Sequence, residues 1–233
     1  MRGNVNTAVR TASTTRRLGR GVAAAAGLVA CAGIVWTSSH ATFTSTTSND
    51  GNTVSAGTVA ISDNDGGSSK LFNTSGIAPG DAAVSSCIAV TYTGSLTPTA
   101  IKMYFPITGT NKAQESDAGG SYVDWADSDA SEMDKYTTLH VEVNTTDLTL
   151  TNPTFNDCTP ASNSWQDVVA ATPLQTLIKN NNTYAGTSLA SPAIAQGKWR
   201  IFRFTYELPA SASPQNGAQG DGVKFGVNWE AQR

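Results

Sequence analysis

The chain has 233 residues, of which 39% are hydrophobic and 14% are charged, and its formal net charge is −3. This length suffices for one domain with a substantial core, and the acidic balance argues against nucleic acid as a partner. Thr, Ser, Asn, Gly and Ala are abundant, which favours strands and turns over surface helices.

The amino terminus predicts an export signal that is removed from the mature protein. An apolar run over residues 22–36 is shorter than the roughly 20 residues of a membrane-spanning helix. A basic stretch precedes this run and contains Arg10, Arg16, Arg17 and Arg20. Small residues at Ser39 and Ala41 predict cleavage between Ala41 and Thr42. Residues 1–41 contain five arginines and no acidic residue, so 192 residues with a net charge of −8 remain.

Two other interpretations of this segment stay open. Residues 28–31 read Leu-Val-Ala-Cys, the form of a lipobox that would attach a lipid to Cys31, and Arg16-Arg17 would fit a twin-arginine signal. Residues 32–36 remain apolar after the cysteine, whereas a lipid-anchored terminus normally continues as a polar tether. Contact with a membrane is therefore expected only through the signal peptide or such an anchor.

The exported chain keeps two cysteines, Cys87 and Cys158, an even number in an oxidising compartment, and they are predicted to pair. A bridge around a loop of about 70 residues contributes about 4 kcal/mol in the chain-entropy account. Two free buried thiols are the alternative. Two cysteines and one histidine, His140, form no zinc set at a recognised spacing.

Alternating apolar and polar residues predict strands. In the clearest one, over residues 223–229, Val223, Phe225, Val227 and Trp229 share one face. Four others are predicted over residues 84–92, 101–107, 139–143 and 202–208. A sixth, over 53–61, changes phase at Gly57 as a bulge requires. Weaker candidates cover residues 68–72 and 146–150.

Helix is predicted only within residues 164–180. Ser164 would cap a first helix over 165–171, and Pro173 would open a second that includes Leu177 and Ile178. Gly-rich and Ser-rich stretches over 62–69, 108–121 and 211–222 predict loops. We therefore expect an all-β protein, an antiparallel, jelly-roll-like β-sandwich with short helical insertions, in one domain over residues 53–233.

A resemblance begins at the predicted cleavage point. Residues 41–59 read A-T-F-T-S-T-T-S-N-D-G-N-T-V-S-A-G-T-V. This segment resembles the mature amino terminus of the TasA and camelysin family, which reads A-x-F-T-D-T, a spacer, then G-N-T-F-x-A-G-T-L-D-L, and whose precursors are cut by the SipW type of signal peptidase. Ser45 stands where the family often has Asp, and Val54 and Val59 replace Phe and Leu.

The resemblance implies a secreted jelly-roll subunit of cell-surface or biofilm-matrix fibres, in which the mature amino terminus of one subunit completes the sheet of the next. Residues 42–52 would be that segment. It is β-prone and too short to fold alone, and head-to-tail contacts of this kind build filaments. The residues expected to mediate self-assembly are Thr42, Phe43, Thr44, Ser45, Thr46, Thr47 and Ser48. The expected partner is the protein itself, with other matrix or cell-wall components beside it; a mobile terminus is the alternative.

Catalysis is not expected, although one segment resembles a protease motif. Residues 186–192 read G-T-S-L-A-S-P and look like the nucleophile motif of subtilisin-like proteases, with Ser188 as nucleophile. That chemistry needs a histidine base and a carboxylate, and His140 lacks the family's context. Camelysin has been regarded as a metallopeptidase, but this chain has no H-E-x-x-H, and a zinc site with His140 would need Asp and Glu ligands.

No cofactor motif is present, and calcium is the one ion that the acidic loops suggest. Asp124, Asp127 and Asp129 are the candidate ligands, although their spacing is not that of an EF-hand. A solvated acidic loop is the alternative. The remaining alternatives to a fibre subunit are a monomeric, lipid-anchored or free, surface binding module and a secreted hydrolase.

Overall fold

Strands dominate the part of the chain that the structure describes. A computed structural model describes residues 59–66, 69–73, 75–128, 131–162, 164–210 and 215–233, and the backbone of residues 44–48. Its strands are β1 Thr44–Ser48, β2 Ile61–Asp63, β3 Val84–Tyr92, β4 Ala100–Tyr104, β5 Gln114–Ser116, β6 Val123–Asp124, β7 Thr138–Asn144, β8 Trp165–Pro173, β9 Ala190–Ser191, β10 Trp199–Glu207, β11 Gly222–Lys224 and β12 Asn228–Gln232. The α-helices are α1 Met133–Tyr136 and α2 Leu174–Asn180.

The strands form three antiparallel sheets. The orders are β1-β12-β4-β9, β2-β3-β10-β7-β8 and β11-β5-β6. The two larger sheets pack through one apolar core, so the expected all-β sandwich is confirmed. These strands belong to one compact unit, Phe43–Arg233.

Aromatic side chains of two strands join the two larger sheets. Trp229 of β12 is fully buried, and its ring lies 5.3 Å from that of Phe202 and 6.0 Å from that of Phe204, both in β10. Both contacts are edge-to-face, a favoured geometry for aromatic pairs. Phe202 and Phe204 alternate with Arg203 and Thr205, so the second face of β10 is polar at these two positions, whereas Ile201 on that face is buried.

Period-two alternation located several strands correctly. The predictions over 84–92, 101–107, 139–143 and 202–208 correspond to β3, β4, β7 and β10. Each of these strands presents a buried apolar row to the core, which is the property that the pattern detects. Of the prediction over 53–61, residues 53–58 lie outside the described residues, and β2 begins at Ile61.

The strand predicted over 223–229 is wrong as a single element. The chain forms β11, which pairs with β5, and then β12, which pairs with β4 and β1. Between them, a Cβ at Gly226 would lie 2.3 Å from the carbonyl oxygen of Asn111. This close backbone approach marks the point where the chain passes from one sheet to another, and it admits only glycine without a shift.

The first predicted helix is also wrong, because residues 165–171 belong to β8. Val168 and Val169 are β-branched, and the main chain of β8 pairs with β7 instead of with itself. The second helix is confirmed as α2, which buries Leu174, Leu177 and Ile178.

The weaker strand predictions and two of the loop predictions also differ from the structure. Residues 69–72 are not a strand, and of residues 146–150 only Leu148 forms an isolated bridge, with Trp199. The loops predicted over 62–69 and 108–121 contain the end of β2 and all of β5. Strands of two or three residues, such as β6 and β9, are too short to show periodicity.

A loop over residues 145–162 covers part of the outer face of the five-stranded sheet. Cys87 and Cys158 form the predicted disulfide, with Cα atoms 5.4 Å apart. A second apolar cluster lies beneath the loop and contains Cys87, Ala89, Ala161 and Ile201. Asn156 reinforces the attachment, because its side-chain oxygen accepts hydrogen bonds from the Cys87 amide and the Ser86 hydroxyl. None of the helices in the described part of the chain has the length and hydropathy to cross a bilayer.

Removing this disulfide should lower the free energy of unfolding. The double variant Cys87→Ala with Cys158→Ala should lose about 2–5 kcal/mol, because the bridge constrains a long loop in the unfolded chain and pins the covering loop. Denaturant unfolding with and without reductant measures this loss. Reductant should shift the midpoint of the wild type and leave that of the variant unchanged; equal midpoints for the reduced and oxidised wild type would contradict the prediction.

Asp63, at the end of β2, has an unusual ionisation. Burial and the neighbouring Asp65 carboxyl raise the pKa of Asp63 from 3.8 to about 6, although its side chain accepts hydrogen bonds from the amides of Asp65 and Gly66. The folded state therefore keeps a proton that the unfolded chain releases.

The free energy of unfolding should consequently fall as the pH rises from about 4 to about 6. The expected fall is only about 1 kcal/mol, because the Asp63 side chain keeps some contact with water, which weakens the effect. Asp63→Asn should remove this component while keeping an oxygen that accepts both amides. Urea unfolding at pH 3 and pH 7 tests the point. The variant should gain stability relative to the wild type between these two pH values, and a constant difference would refute the assignment.

Candidate functional site

The segment predicted to mediate self-assembly forms β1 at the end of the four-stranded sheet. β1 pairs with β12 in antiparallel register, with Thr44 opposite Gln232 and Ser48 opposite Asn228. This pairing is within one chain, whereas the sequence predicts pairing with a neighbouring subunit. Thr42, Phe43 and the predicted cleavage after Ala41 lie outside the described residues, and pairing between subunits stays a prediction.

β12 is the strand that receives β1. Trp229 and Ala231 are fully buried, and Glu230 is 7% exposed. β4 pairs with β12 on the side opposite β1, so β12 is an inner strand only while β1 is in place. Without β1, the main-chain donors and acceptors along one side of β12 would lose their partners.

Hydrogen bonds hold the polar side chains of β12. The Tyr104 hydroxyl of β4 donates to Oε2 of Glu230 at 3.1 Å, and the Gln232 amide donates to the other carboxylate oxygen. Burial raises the pKa of Tyr104, so its hydroxyl remains a donor. Asn111 donates to the side-chain oxygen of Asn228. These contacts fix β12 independently of β1, as a receptor strand requires.

The protease-like motif is not assembled with its expected base. Ser188 is exposed on the loop before β9 of the four-stranded sheet, and its amide donates to Asn181 Oδ1. His140 lies in β7 of the other large sheet, where its ring bonds Asp167. Among the described contacts there is no link from Ser188 to His140, which the chemistry of this motif needs. The neighbouring Thr187 is buried and donates to the Met103 carbonyl, a structural role for this loop.

The calcium candidates do not converge. Asp124 lies 2.6 Å from the Lys112 ammonium, and Asp127 lies 2.6 Å from that of Lys179. Asp129 lies outside the described residues. Because each described carboxylate is neutralised by its own lysine, the two provide no common ligand set, and calcium binding stays a prediction.

A different polar cluster lies on the outer face of the five-stranded sheet. His140 Nε2 is 2.8 Å from Asp167 Oδ1, and His140 Nδ1 is 4.0 Å from Glu142 Oε2. Arg203 bonds the same Glu142 oxygen through Nε at 2.8 Å and Nη2 at 2.7 Å. The Arg203 guanidinium also stacks 4.3 Å above the Trp165 ring. The structure thus brings to His140 the Asp and Glu that a zinc site would require.

The sequence carries a signal for only part of this cluster. His140 and Glu142 are two residues apart on the polar face of a predicted strand, a signal that places both side chains together. The sequence does not indicate Asp167 as a neighbour, because its pattern predicts a helix over residues 165–171. The relation appears only when β8 is recognised as the strand beside β7.

Comparison with known proteins adds no identification. No family model matches the chain, and no curated protein matches it. Function must therefore be inferred from the geometry above and from the short resemblance at residues 41–59.

The Arg203–Glu142 pair should contribute measurably to stability. Arg203→Met would remove the cation that pairs with Glu142. The Glu142 side chain is only 14% exposed and lies opposite the like charge of Asp167. We expect a loss of about 1–2 kcal/mol in denaturant unfolding. Lys112→Met is the matched control, because its partner Asp124 is 64% exposed and such pairs contribute about 0–1 kcal/mol. Equal losses in the two variants would contradict a special role for Arg203.

Proposed function

We propose that this protein is a secreted structural subunit of an extracellular cell-surface or biofilm-matrix fibre, assembled by exchange of β1 between neighbouring subunits. The observation that carries this proposal is the β1–β12 ladder, in which a short edge strand completes a buried strand through main-chain hydrogen bonds. The same ladder forms whether β1 comes from its own chain or from the next one.

The energetics permit exchange at high protein concentration. Pairing of β1 with its own chain and pairing with a neighbouring chain make the same ladder, so the two enthalpies are similar. A higher protein concentration shifts the balance toward pairing between chains. β1 contains only Ser and Thr, so no buried charge or salt bridge specific to its own chain opposes release. Its one strand neighbour makes it an element of low local stability.

The sequence between β1 and the core allows a strand to reach a neighbour. Ten residues separate Ser48 from Val59, which is 4% exposed and belongs to the core. Ten residues span at most about 35 Å when extended, which is comparable with the width of a small domain. Donation of β1 to one neighbour leaves β12 free to accept from another, so growth is head-to-tail and open.

Export is supported by two independent features. The disulfide is typical of proteins that fold in oxidising compartments. The amino-terminal sequence has the order of a basic region, an apolar run and small residues that a signal peptidase recognises. The resemblance of residues 41–59 to the TasA and camelysin family points to the same location.

A pair of cysteines introduced at opposite positions of the β1–β12 ladder distinguishes exchange of β1 between chains from pairing of β1 within its own chain. Thr44 and Gln232 are direct partners in the ladder, and Gln232 is half-exposed. In the double variant Thr44→Cys with Gln232→Cys, made with Cys31→Ser, oxidation of concentrated protein should give a ladder of covalent oligomers on non-reducing gels. Each single variant should stop at the dimer. Only intramolecular bridges at high concentration would refute exchange and favour the monomeric surface module.

Deletion of residues 42–49 is the matched loss-of-function control. The deleted protein should remain folded, because the core aromatic residues and the disulfide lie outside the deletion, and should form no filaments by electron microscopy. Filaments that persist after this deletion would refute the donor role of β1.

A further inference from the structure

We infer that His140, Glu142 and Asp167 form a binding site for a divalent first-row transition-metal ion, with Zn²⁺ as the best-fitting ion, on the outer face of the five-stranded sheet. One ligand atom from each of these side chains lies within 4.8 Å of the other two. Two atoms bonded to one zinc ion at the usual lengths of about 2.0–2.2 Å lie about 3–4 Å apart. Small side-chain rotations therefore bring all three onto one ion.

The backbone of β8 is shaped to bring Asp167 into this position. At one end of the β7–β8 pair Thr138 faces Pro173, and an unbroken register would place Val169 opposite Glu142. Two register shifts within the pair place Asp167 there instead. Bulges of this kind re-aim side chains and are frequent beside functional sites.

The resulting pair is unfavourable without a cation. Glu142 and Asp167 are direct cross-strand partners, and like charges in such positions repel. Arg203 compensates one of the two negative charges through Oε2 of Glu142. A divalent ion would compensate the other, with His140 as a neutral ligand.

Arg203 would act as a positioning residue for this ion. Both contacts from Arg203 reach Oε2 of Glu142. Among the contacts that the structure describes, Oε1 has no partner, so it can bind an ion. Stacking on Trp165 fixes the guanidinium plane. Hydrogen bonds of this kind to a ligating carboxylate are typical around metal ions and hold the ligand in its binding orientation.

The donor set selects the class of ion. An imidazole nitrogen favours zinc and its first-row neighbours over calcium and magnesium, which prefer oxygen ligands only. Three protein ligands leave at least one position for water or a further ligand. The His140 and Asp167 side chains are 31% and 60% exposed, so this position faces solvent.

Isothermal titration with Zn²⁺ tests the site, and Co²⁺ absorption reports the coordination. The wild type should bind one ion per chain. His140→Ala and Asp167→Asn should each weaken binding by about tenfold or more. Both side chains contact solvent, so the variants should keep the wild-type circular dichroism.

A control variant separates this site from other donors. Asp124→Asn removes an equal charge from β6, where the Asp124 side chain is 64% exposed, and should leave the Zn²⁺ affinity unchanged. The inference is overturned if the wild type shows no saturable binding, or if either His140→Ala or Asp167→Asn binds Zn²⁺ as tightly as the wild type.

Discussion

The outer edge of β12 is the constraint on which the rest of the molecule depends. Trp229 packs edge-on against Phe202 and Phe204, so β12 is fixed in the core that joins the two large sheets. With β4 on one side, the main-chain groups on its other side need a partner strand. β1 provides that strand here. The packing that stabilises the domain therefore also creates the acceptor that the proposed assembly uses.

The outer face of the five-stranded sheet has two regions with different chemistry. The loop over residues 145–162, attached by the disulfide, buries Ala89 and Ile201 at one end. At the other end lies the row of Arg203, Glu142 and Asp167, whose side chains are 29%, 14% and 60% exposed. Trp165 links the two regions, because it packs against the second apolar cluster and also beneath the Arg203 guanidinium. The apolar cluster beneath the covering loop thus contacts the same β8 residue on which the Arg203 guanidinium stacks.

Sequence periodicity predicted β3, β7 and β10 because each of these strands buries one apolar face in the core and pairs with a strand on each side. The pairing of Cys87 with Cys158 could be predicted because only these two cysteines follow the predicted cleavage point, in a chain expected to reach an oxidising compartment. Prediction failed where a distant contact determines the backbone. The break at Gly226 depends on the approach of Asn111, and the extended form of β8 depends on pairing with β7. The charged cluster could not be predicted for the same reason, since Asp167 meets His140 only through the bulged register of β8.

The edges of the two large sheets differ in their capacity for further pairing. β2 and β9 have three and two residues, and short edge strands offer few hydrogen-bonding groups to another chain. β8 is longer, but the shifts in its register with β7 distort it, and irregular edges of this kind also resist pairing. The β1–β12 ladder, in contrast, runs without a register shift over five residues. Among the described edges of these two sheets, the edge that β12 presents after release of β1 is therefore the best suited to accept a strand. A single preferred acceptor in each subunit favours linear growth over branched aggregation.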